Sequence, residues 1–289
     1  VRDYLNGVLP KPHPDSPTTL LLPLQANDRC AANCKGCVFA RDIVGEGFLA
    51  LPTTPKTLQV ILDNARVLMR KYGLLSAKGT FRVGALLSGD PSFNQHTTEL
   101  IRVFGENPDI TSVRLSTIAV KTKNNPLMAI LEGARVIKSV ESNLNLRVQV
   151  SLHSTNPEKR QSHVSYHGSL TSKLISMTEI NAAFKKMKKV TGFRSTLAFV
   201  TDTDTDIETE VLLAHFDQGH TDISLRPIIS TTKYTATPMP PDKFINLYRS
   251  LIEKGWEVRI IPSSEKGIEQ ANTLTQDLPL VVGQGVLGL

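Results

Sequence analysis

Three cysteines lie close together near the start of the chain, and they are the only cysteines among its 289 residues. Cys30, Cys34 and Cys37 follow the spacing C-x3-C-x2-C. Thiolates are soft ligands that suit zinc or an iron–sulfur cluster, whereas an odd, tightly spaced set is a poor disulfide framework. A structural zinc site needs a fourth ligand, and the nearest histidine in sequence is His13. The three thiols therefore indicate a [4Fe–4S] cluster with one open iron. The alternatives are zinc completed by a distant histidine, or three free thiols.

The same spacing, directly after the strand-like run 19–24, resembles the signature of the radical S-adenosylmethionine (radical SAM) superfamily. The resemblance implies that the open iron binds the amino and carboxylate groups of S-adenosylmethionine, and that the cluster cleaves this cofactor to start radical chemistry. The position before the last cysteine is often aromatic in that superfamily, near the cofactor's adenine, but here it is Gly36. We expect Phe39 to serve in its place.

A second match follows the next predicted strand. Leu87-Ser-Gly-Asp-Pro91 resembles the Gly-Gly-Glu-Pro motif of the superfamily. In that motif the backbone and the carboxylate receive the cofactor's amino group, so the resemblance implies this role for Ser88, Gly89 and Asp90. An ordinary Ser-Gly-Asp-Pro turn is the alternative.

Three later stretches are similar to one branch, the radical SAM ribosomal-RNA adenine methyltransferases of the RlmN and Cfr type. The chain's Gly-Asp-Pro-Ser-Phe-Asn is similar to their Gly-Glu-Pro-Leu-Leu-Asn, its Ser-Thr-Ile-Ala-Val to their Ser-Thr-Ser-Gly-Val, and its Ser-Leu-His to their Ser-Leu-His-Ala. The resemblance implies that the cofactor's ribose and methionine portion is lined by Ser116, Ser151, Leu152 and His153. Hydroxyls and an imidazole at strand ends suit a polar ligand; an ordinary barrel histidine is the alternative for His153.

Two further cysteines of that branch have no counterpart in this chain. One carries the methyl group and the other resolves a covalent intermediate with the RNA base. Asn272 stands where the methyl-carrying cysteine is expected, and asparagine has no nucleophilic sulfur. Methyl transfer through a cysteine relay is therefore excluded. The remaining chemistry is abstraction of a substrate hydrogen by a 5′-deoxyadenosyl radical.

Three more residues are candidates for roles in such a reaction. Tyr166 and Tyr234 lie in loops after predicted strands, where a tyrosine could return a hydrogen to the substrate; ordinary tyrosines are the alternative. Arg226 lies near the end of the sixth predicted strand. It is a candidate to meet an anionic substrate or the cofactor's carboxylate, and a structural ion pair is the alternative.

The elements that must position these residues alternate between strand and helix periodicity. The predicted strands are 19–24, 81–87, 112–117, 146–153, 193–200, 221–225 and 256–261; the predicted helices are 56–73, 97–104, 126–140, 171–189, 207–216 and 241–254. This alternation predicts an α/β fold with mostly parallel strands, a partial or full (β/α) barrel. We expect one domain, 1–289, with a cluster loop at 28–40 and a C-terminal tail, 275–289, covering the barrel. Chemistry in such barrels lies at the carboxyl ends of the strands.

The composition of the chain limits the choice of binding partners and of cell compartment. The net charge is +6, which permits RNA or a phosphorylated partner without requiring one. No apolar run is long enough to span a membrane and the start does not resemble a signal peptide, so we expect the cytoplasm. The sequence predicts a radical SAM enzyme acting on a nucleotide, sugar or natural-product intermediate, with flavodoxin or ferredoxin as electron donor. The alternatives are an RNA-modifying radical SAM enzyme and a non-catalytic iron–sulfur or zinc-binding barrel.

Overall fold

A computed structural model describes residues 11–13, 16–22, 34, 52–71, 80–83, 90–122, 125–164, 173–228 and 237–261 of the chain. In chain order its strands are β1 (Lys11–His13), β2 (Ser16–Leu22), β3 (Thr80–Val83), β4 (Ile110–Thr117), β5 (Val120–Lys121), β6 (Asn145–Ser151), β7 (Lys173–Leu174), β8 (Ser195–Thr201), β9 (Thr221–Pro227) and β10 (Val258–Ile260). Its helices are α1 (Pro55–Lys71), α2 (Thr97–Glu106), α3 (Pro126–Ser139), α4 (Pro157–Ser162), α5 (Met177–Thr191), α6 (Thr209–His215) and α7 (Pro241–Glu253).

One large sheet organises the described part of the chain. Its strand order is β1-β2-β3-β4-β6-β8-β9-β10. β1 pairs antiparallel with β2, and every later neighbour pair is parallel. Because strand order follows chain order, each crossover moves one strand further in the same direction, as in a (β/α) barrel. The predicted α/β fold, a partial barrel with mostly parallel strands, is confirmed. A separate antiparallel pair joins β5 to β7.

Side-chain caps mark the residues at which α3 and α5 begin. Asn125 accepts hydrogen bonds from the backbone N–H groups of Leu127 and Met128 at the start of α3, with proline as the first helical residue. Ser176 and Glu179 form a capping box at the start of α5. Such caps satisfy N–H groups that the helix itself leaves without partners. The helix predicted over 171–189 therefore begins later than expected, at Met177.

The hydrophobic core lies between the sheet and the helices. On β4, β6, β8 and β9 alternate residues are buried in it: Val113, Leu115, Leu146, Val148, Val150, Leu197, Phe199, Ile223 and Leu225. The helices contribute the opposing apolar residues, including Ile101, Ile130, Leu131, Ile180 and Phe184. Successive side chains of a strand point to opposite faces, so the residues between these apolar ones face the inside of the barrel.

α2 and α3 pack closely through a glycine. A Cβ atom built at Gly133 would lie 2.7 Å from Cδ1 of Ile101. No helix in the described ranges is both long and apolar enough to cross a membrane.

Candidate active site at the carboxyl ends of the strands

Cys34 is the one cysteine of the motif that falls within the described residues. It forms an isolated antiparallel bridge with Val164, is half-buried, and packs against Ile118, Val120 and Val164. Ile118 directly follows β4, and Val164 follows α4, the helix after β6. The cysteine therefore lies at the carboxyl ends of β4 and β6. Cys30 and Cys37 lie outside the described residues.

Asp90 is buried at the same edge of the sheet, in contact with the end of β4. Its Oδ1 accepts hydrogen bonds from the Ser92 N–H and the Thr117 hydroxyl, and its Oδ2 accepts one from the Ile118 N–H, each at 2.7 Å. Burial raises the pKa of the Asp90 carboxyl, and these donors oppose the rise. The side chain thus holds the residues that follow β4. Ser88 and Gly89 lie outside the described residues.

Ser116 occupies the next-to-last position of β4, opposite Gln149 of β6 in register. Its neighbours Leu115 and Thr117 are buried against the helices, so Ser116 faces the inside of the barrel. Its hydroxyl oxygen is buried and has no hydrogen-bond partner within the described ranges. An unpartnered buried hydroxyl is costly, and a bound ligand would remove that cost.

The Ser-Leu-His stretch ends β6 with three different environments. Ser151 is the last residue of the strand and is half-buried. Leu152 is completely buried in the apolar core, and its N–H donates to the Ala198 carbonyl across 3.0 Å. The polar side chains of Ser151 and His153 therefore lie at the end of the strand, whereas the Leu152 side chain packs against core residues.

His153 has an unusual backbone and an unusual ring environment. Its φ of 66° lies in the left-handed region, which non-glycine residues seldom adopt and which often marks functional sites. The ring stacks on His163, with centroids 5.5 Å apart and planes 15° from parallel. Burial, then the charges of His163 and Arg160, lower the His153 pKa from 6.5 to about 4. The ring is therefore neutral at pH 7, and its Nε2 is buried with no partner in the described part of the chain.

Two loops at this edge are joined by hydrogen bonds. The Asp206 carbonyl, after β8, accepts from the Thr155 N–H and hydroxyl and from the Ser154 hydroxyl, both after β6. The Thr155 hydroxyl in turn accepts from the Glu208 N–H. Lys159 adds an ion pair to the Asp206 carboxylate. The loops after β6 and β8 thus form one connected rim.

The inside of the barrel is polar where the structure describes it. The inward positions on β4, β6, β8, β9 and β10 are Ser112, Arg114, Ser116, Asn145, Arg147, Gln149, Ser151, Thr196, Ala198, Val200, Asp222, Ser224, Arg226 and Arg259, of which only Ala198 and Val200 are apolar. A barrel whose interior is only a packed core is filled by branched apolar side chains. This polar lining suits a ligand-binding interior instead.

Four arginines belong to this lining, and sequence analysis singled out only Arg226. Burial lowers the pKa of the Arg114 guanidinium, the charges of Arg259, Arg147 and Arg226 lower it further, and Asp222 raises it. The charge around Arg114 is therefore predominantly positive. In the sequence, Arg114 lies between two apolar residues, Val113 and Leu115. Because side chains alternate along a strand, this pattern indicates that the arginine lies on the face opposite the core, inside the barrel.

The described residues are compatible with the cofactors that the sequence predicts. The fit rests on a thiol at the strand ends, on the unpartnered Ser116 hydroxyl and on the unpartnered His153 nitrogen. The Ser116 hydroxyl and the His153 nitrogen can each form a hydrogen bond with a polar ligand. Three other candidates, Phe39, Tyr166 and Tyr234, lie outside the described residues.

A solved structure of 16% sequence identity shares the architecture of this chain. A radical SAM methyltransferase from Sphaerobacter thermophilus matches with a TM-score of 0.61 and 16% sequence identity, over 90% of this chain and 70% of its own. The structure of TYW1 with a lysine-pyruvate adduct bound matches with a TM-score of 0.46 and 13% identity, over 86% and 77%. No family model matches the chain, and no curated protein matches its sequence. The first match shows that this chain shares the fold of that solved structure.

Proposed function

We propose that this chain is a radical SAM enzyme that abstracts hydrogen from a small-molecule or nucleotide substrate. A single observation carries the proposal: in a chain with the fold of a radical SAM methyltransferase, the middle cysteine of a C-x3-C-x2-C motif lies at the carboxyl ends of two neighbouring strands. These strand ends are where (β/α) barrels carry their active sites.

Cys30, Cys34 and Cys37 would hold the [4Fe–4S] cluster, and polar groups at the strand ends would hold S-adenosylmethionine. Together the two cofactors supply a 5′-deoxyadenosyl radical when reduced by a donor such as flavodoxin or ferredoxin. The Ser116 hydroxyl would donate a hydrogen bond to the cofactor. The neutral His153 ring would present Nε2, and Ser151 would line the same edge. Asp90 holds the end of β4 and the residue after it through the hydrogen bonds that it accepts from Thr117 and Ile118.

Cysteine-mediated methyl transfer is not part of the proposal, although the structural relative is named a methyltransferase. The chain has three cysteines, and the cluster would use all of them. Hydrogen abstraction therefore leads to another outcome, such as oxidation, elimination or rearrangement. A reduced cluster held by three thiolates fits a reducing compartment, so we propose the cytoplasm.

Anaerobic reconstitution tests the proposal. The full chain supplied with iron and sulfide should turn brown and bind about four irons, and with dithionite and S-adenosylmethionine it should release 5′-deoxyadenosine. Cys34→Ser should abolish both the colour and the product. Lys138→Ala, an exposed change on α3, should preserve both. Stoichiometric zinc after anaerobic purification, or a reduced cluster that releases no 5′-deoxyadenosine, would refute the proposal.

A further inference from the structure

Among the described residues of the barrel's inner face, four arginines outnumber the one carboxylate, that of Asp222. The charged groups that act on Arg114 are three arginines and one carboxylate. Arginine remains protonated at any physiological pH. Guanidiniums held close together without counter-charges repel one another, which is unfavourable. A binding site that carries this charge is suited to a ligand with more than one negative charge.

Two of the four arginines already have partners. Arg259 donates from one terminal nitrogen to Asp222 and to Thr196, both at 2.8 Å. Arg147 donates to Asn145 and lies over the Phe193 ring, 5.4 Å from its centroid. These contacts fix the two guanidiniums in place. They satisfy only part of their hydrogen-bonding capacity, because each guanidinium carries five N–H groups.

The guanidinium groups of the other two arginines have no partner among the described residues. The guanidinium of Arg114, on β4, and that of Arg226, on β9, make no hydrogen bond or ion pair with another described residue. Arg114 is half-buried and Arg226 is exposed, so both guanidiniums are accessible from the interior. Ser116, whose hydroxyl also has no described partner, lies two residues from Arg114 on the same face of β4. Donors from different strands thus converge on one region.

We infer that this arginine cluster (Arg114, Arg147, Arg226 and Arg259) binds the phosphate group of a phosphorylated substrate, such as a nucleotide or a sugar phosphate. The inference rests on the proposed function, since it names the substrate class of that site. A phosphate monoester or diphosphate carries two or more charges and accepts several N–H donors, and arginine binds it in a forked geometry. A single carboxylate, such as that of S-adenosylmethionine, would neutralise less of the cluster.

The position of the cluster agrees with this assignment. Arg114 lies four residues before Ile118, a member of the apolar cluster that Cys34 packs against. At about 3.3 Å per residue, the separation along β4 is roughly 13 Å. Arg226 is the next-to-last residue of β9, so a phosphate bound by both arginines would lie between the middle of β4 and the strand ends, with the rest of the substrate directed toward the cofactors.

Binding of inorganic pyrophosphate to the full-length chain tests the inference. Calorimetry should detect binding to the wild type, and Arg114→Gln and Arg226→Gln should each raise the dissociation constant by about tenfold or more, since each removes a charged donor. Arg114→Lys should recover part of the loss. Arg249→Gln, an exposed change on α7, is the matched control and should leave binding unchanged. Because Arg226 is exposed, its variant tests the inference even if Arg114→Gln fails to fold.

Three results would overturn the inference. Pyrophosphate could bind with the same affinity to all variants. Affinity for S-adenosylmethionine could fall more than affinity for pyrophosphate, which would assign the arginines to the cofactor's carboxylate. A single-stranded RNA oligonucleotide could bind more tightly than pyrophosphate and depend on the same arginines. Pyrophosphate binding does not require the [4Fe–4S] cluster, so it can succeed where release of 5′-deoxyadenosine fails, and the two proposals fail separately.

Discussion

The hydroxyl of Thr117, the last residue of β4, donates a hydrogen bond to Oδ1 of Asp90 across 2.7 Å. The same hydroxyl oxygen accepts from the Ala119 N–H at 2.9 Å. The contact joins the segment before α2 to the turn that holds Ile118, a member of the apolar cluster that Cys34 packs against. The carboxylate is therefore a structural support for the candidate site.

Replacing Asp90 with asparagine should destabilise the protein. Three hydrogen atoms point at the carboxylate, and an amide would direct its own N–H groups at one or more of these donors. The loss should be about 3 kcal/mol of the free energy of unfolding, measured by urea denaturation. Asp204→Asn, an exposed change after β8, should cost little. Equal stabilities for the wild type and Asp90→Asn would contradict the hydrogen-bond assignment.

The free energy of unfolding should decrease as the pH is lowered, because of His153. Its pKa is about 4 in the folded protein against an ordinary 6.5, so the unfolded chain binds the proton more tightly between these values. The folded state therefore loses about 2 kcal/mol between pH 7 and pH 5 from this residue. His153→Asn removes the titration, and asparagine tolerates the positive φ. The pH dependence of unfolding should be shallower by this amount in the variant; parallel curves would disprove the assignment.

A forked ion pair should hold α1 to the rest of the fold. Arg66 donates to both carboxylate oxygens of Asp109 at 2.7 Å and to Asn107 at 2.6 Å. Lysine cannot reproduce the fork, so Arg66→Lys should lower the free energy of unfolding by about 1 kcal/mol, a value reduced by partial solvent exposure. Arg70→Lys, an exposed change on the same helix, should have no measurable effect. A loss of equal size in both variants would point to helix propensity rather than the ion pair.

The close approach of α2 and α3 predicts that Gly133 tolerates no larger side chain. A methyl group there would overlap the Ile101 side chain, with three of its carbons within 2.9 Å. Gly133→Ala should therefore lower the melting temperature despite its better helix propensity, with a cost of about 1–3 kcal/mol. Lys138→Ala, on the exposed side of the same helix, controls for propensity. A Gly133→Ala protein as stable as the wild type would mean that the helices separate at little cost.

Sequence periodicity was sufficient for the order of strands and helices, because each buried face imposes its own period. The helix predicted over 126–140 is observed as Pro126–Ser139. Errors arose where local chemistry ends an element. The strand predicted over 146–153 ends at Ser151, because His153 takes a positive φ. The prediction also missed α4, which has only six residues.

The candidate site was predictable only in part. The place of the cysteine motif after the first predicted strand was enough to expect Cys34 at the carboxyl edge of the sheet. Its bridge to Val164 joins residues far apart in sequence, and the stacking of His153 on His163 crosses the whole of α4, so no local pattern specifies either contact. The arginine cluster needed strand register as well. Arg114 and Arg147 are opposite each other, and this becomes visible only once the pairing of β4 with β6 is known.

The connected rim formed by the loops after β6 and β8 bears on how ligands enter. Three donors converge on the Asp206 carbonyl, so the conformational entropy of these loops is lost during folding rather than on binding. A ligand that meets this edge gains affinity from preorganisation. Any widening of the entrance on this side would have to break several hydrogen bonds together, which makes the rim a fixed wall against which a reactive intermediate can be kept from solvent.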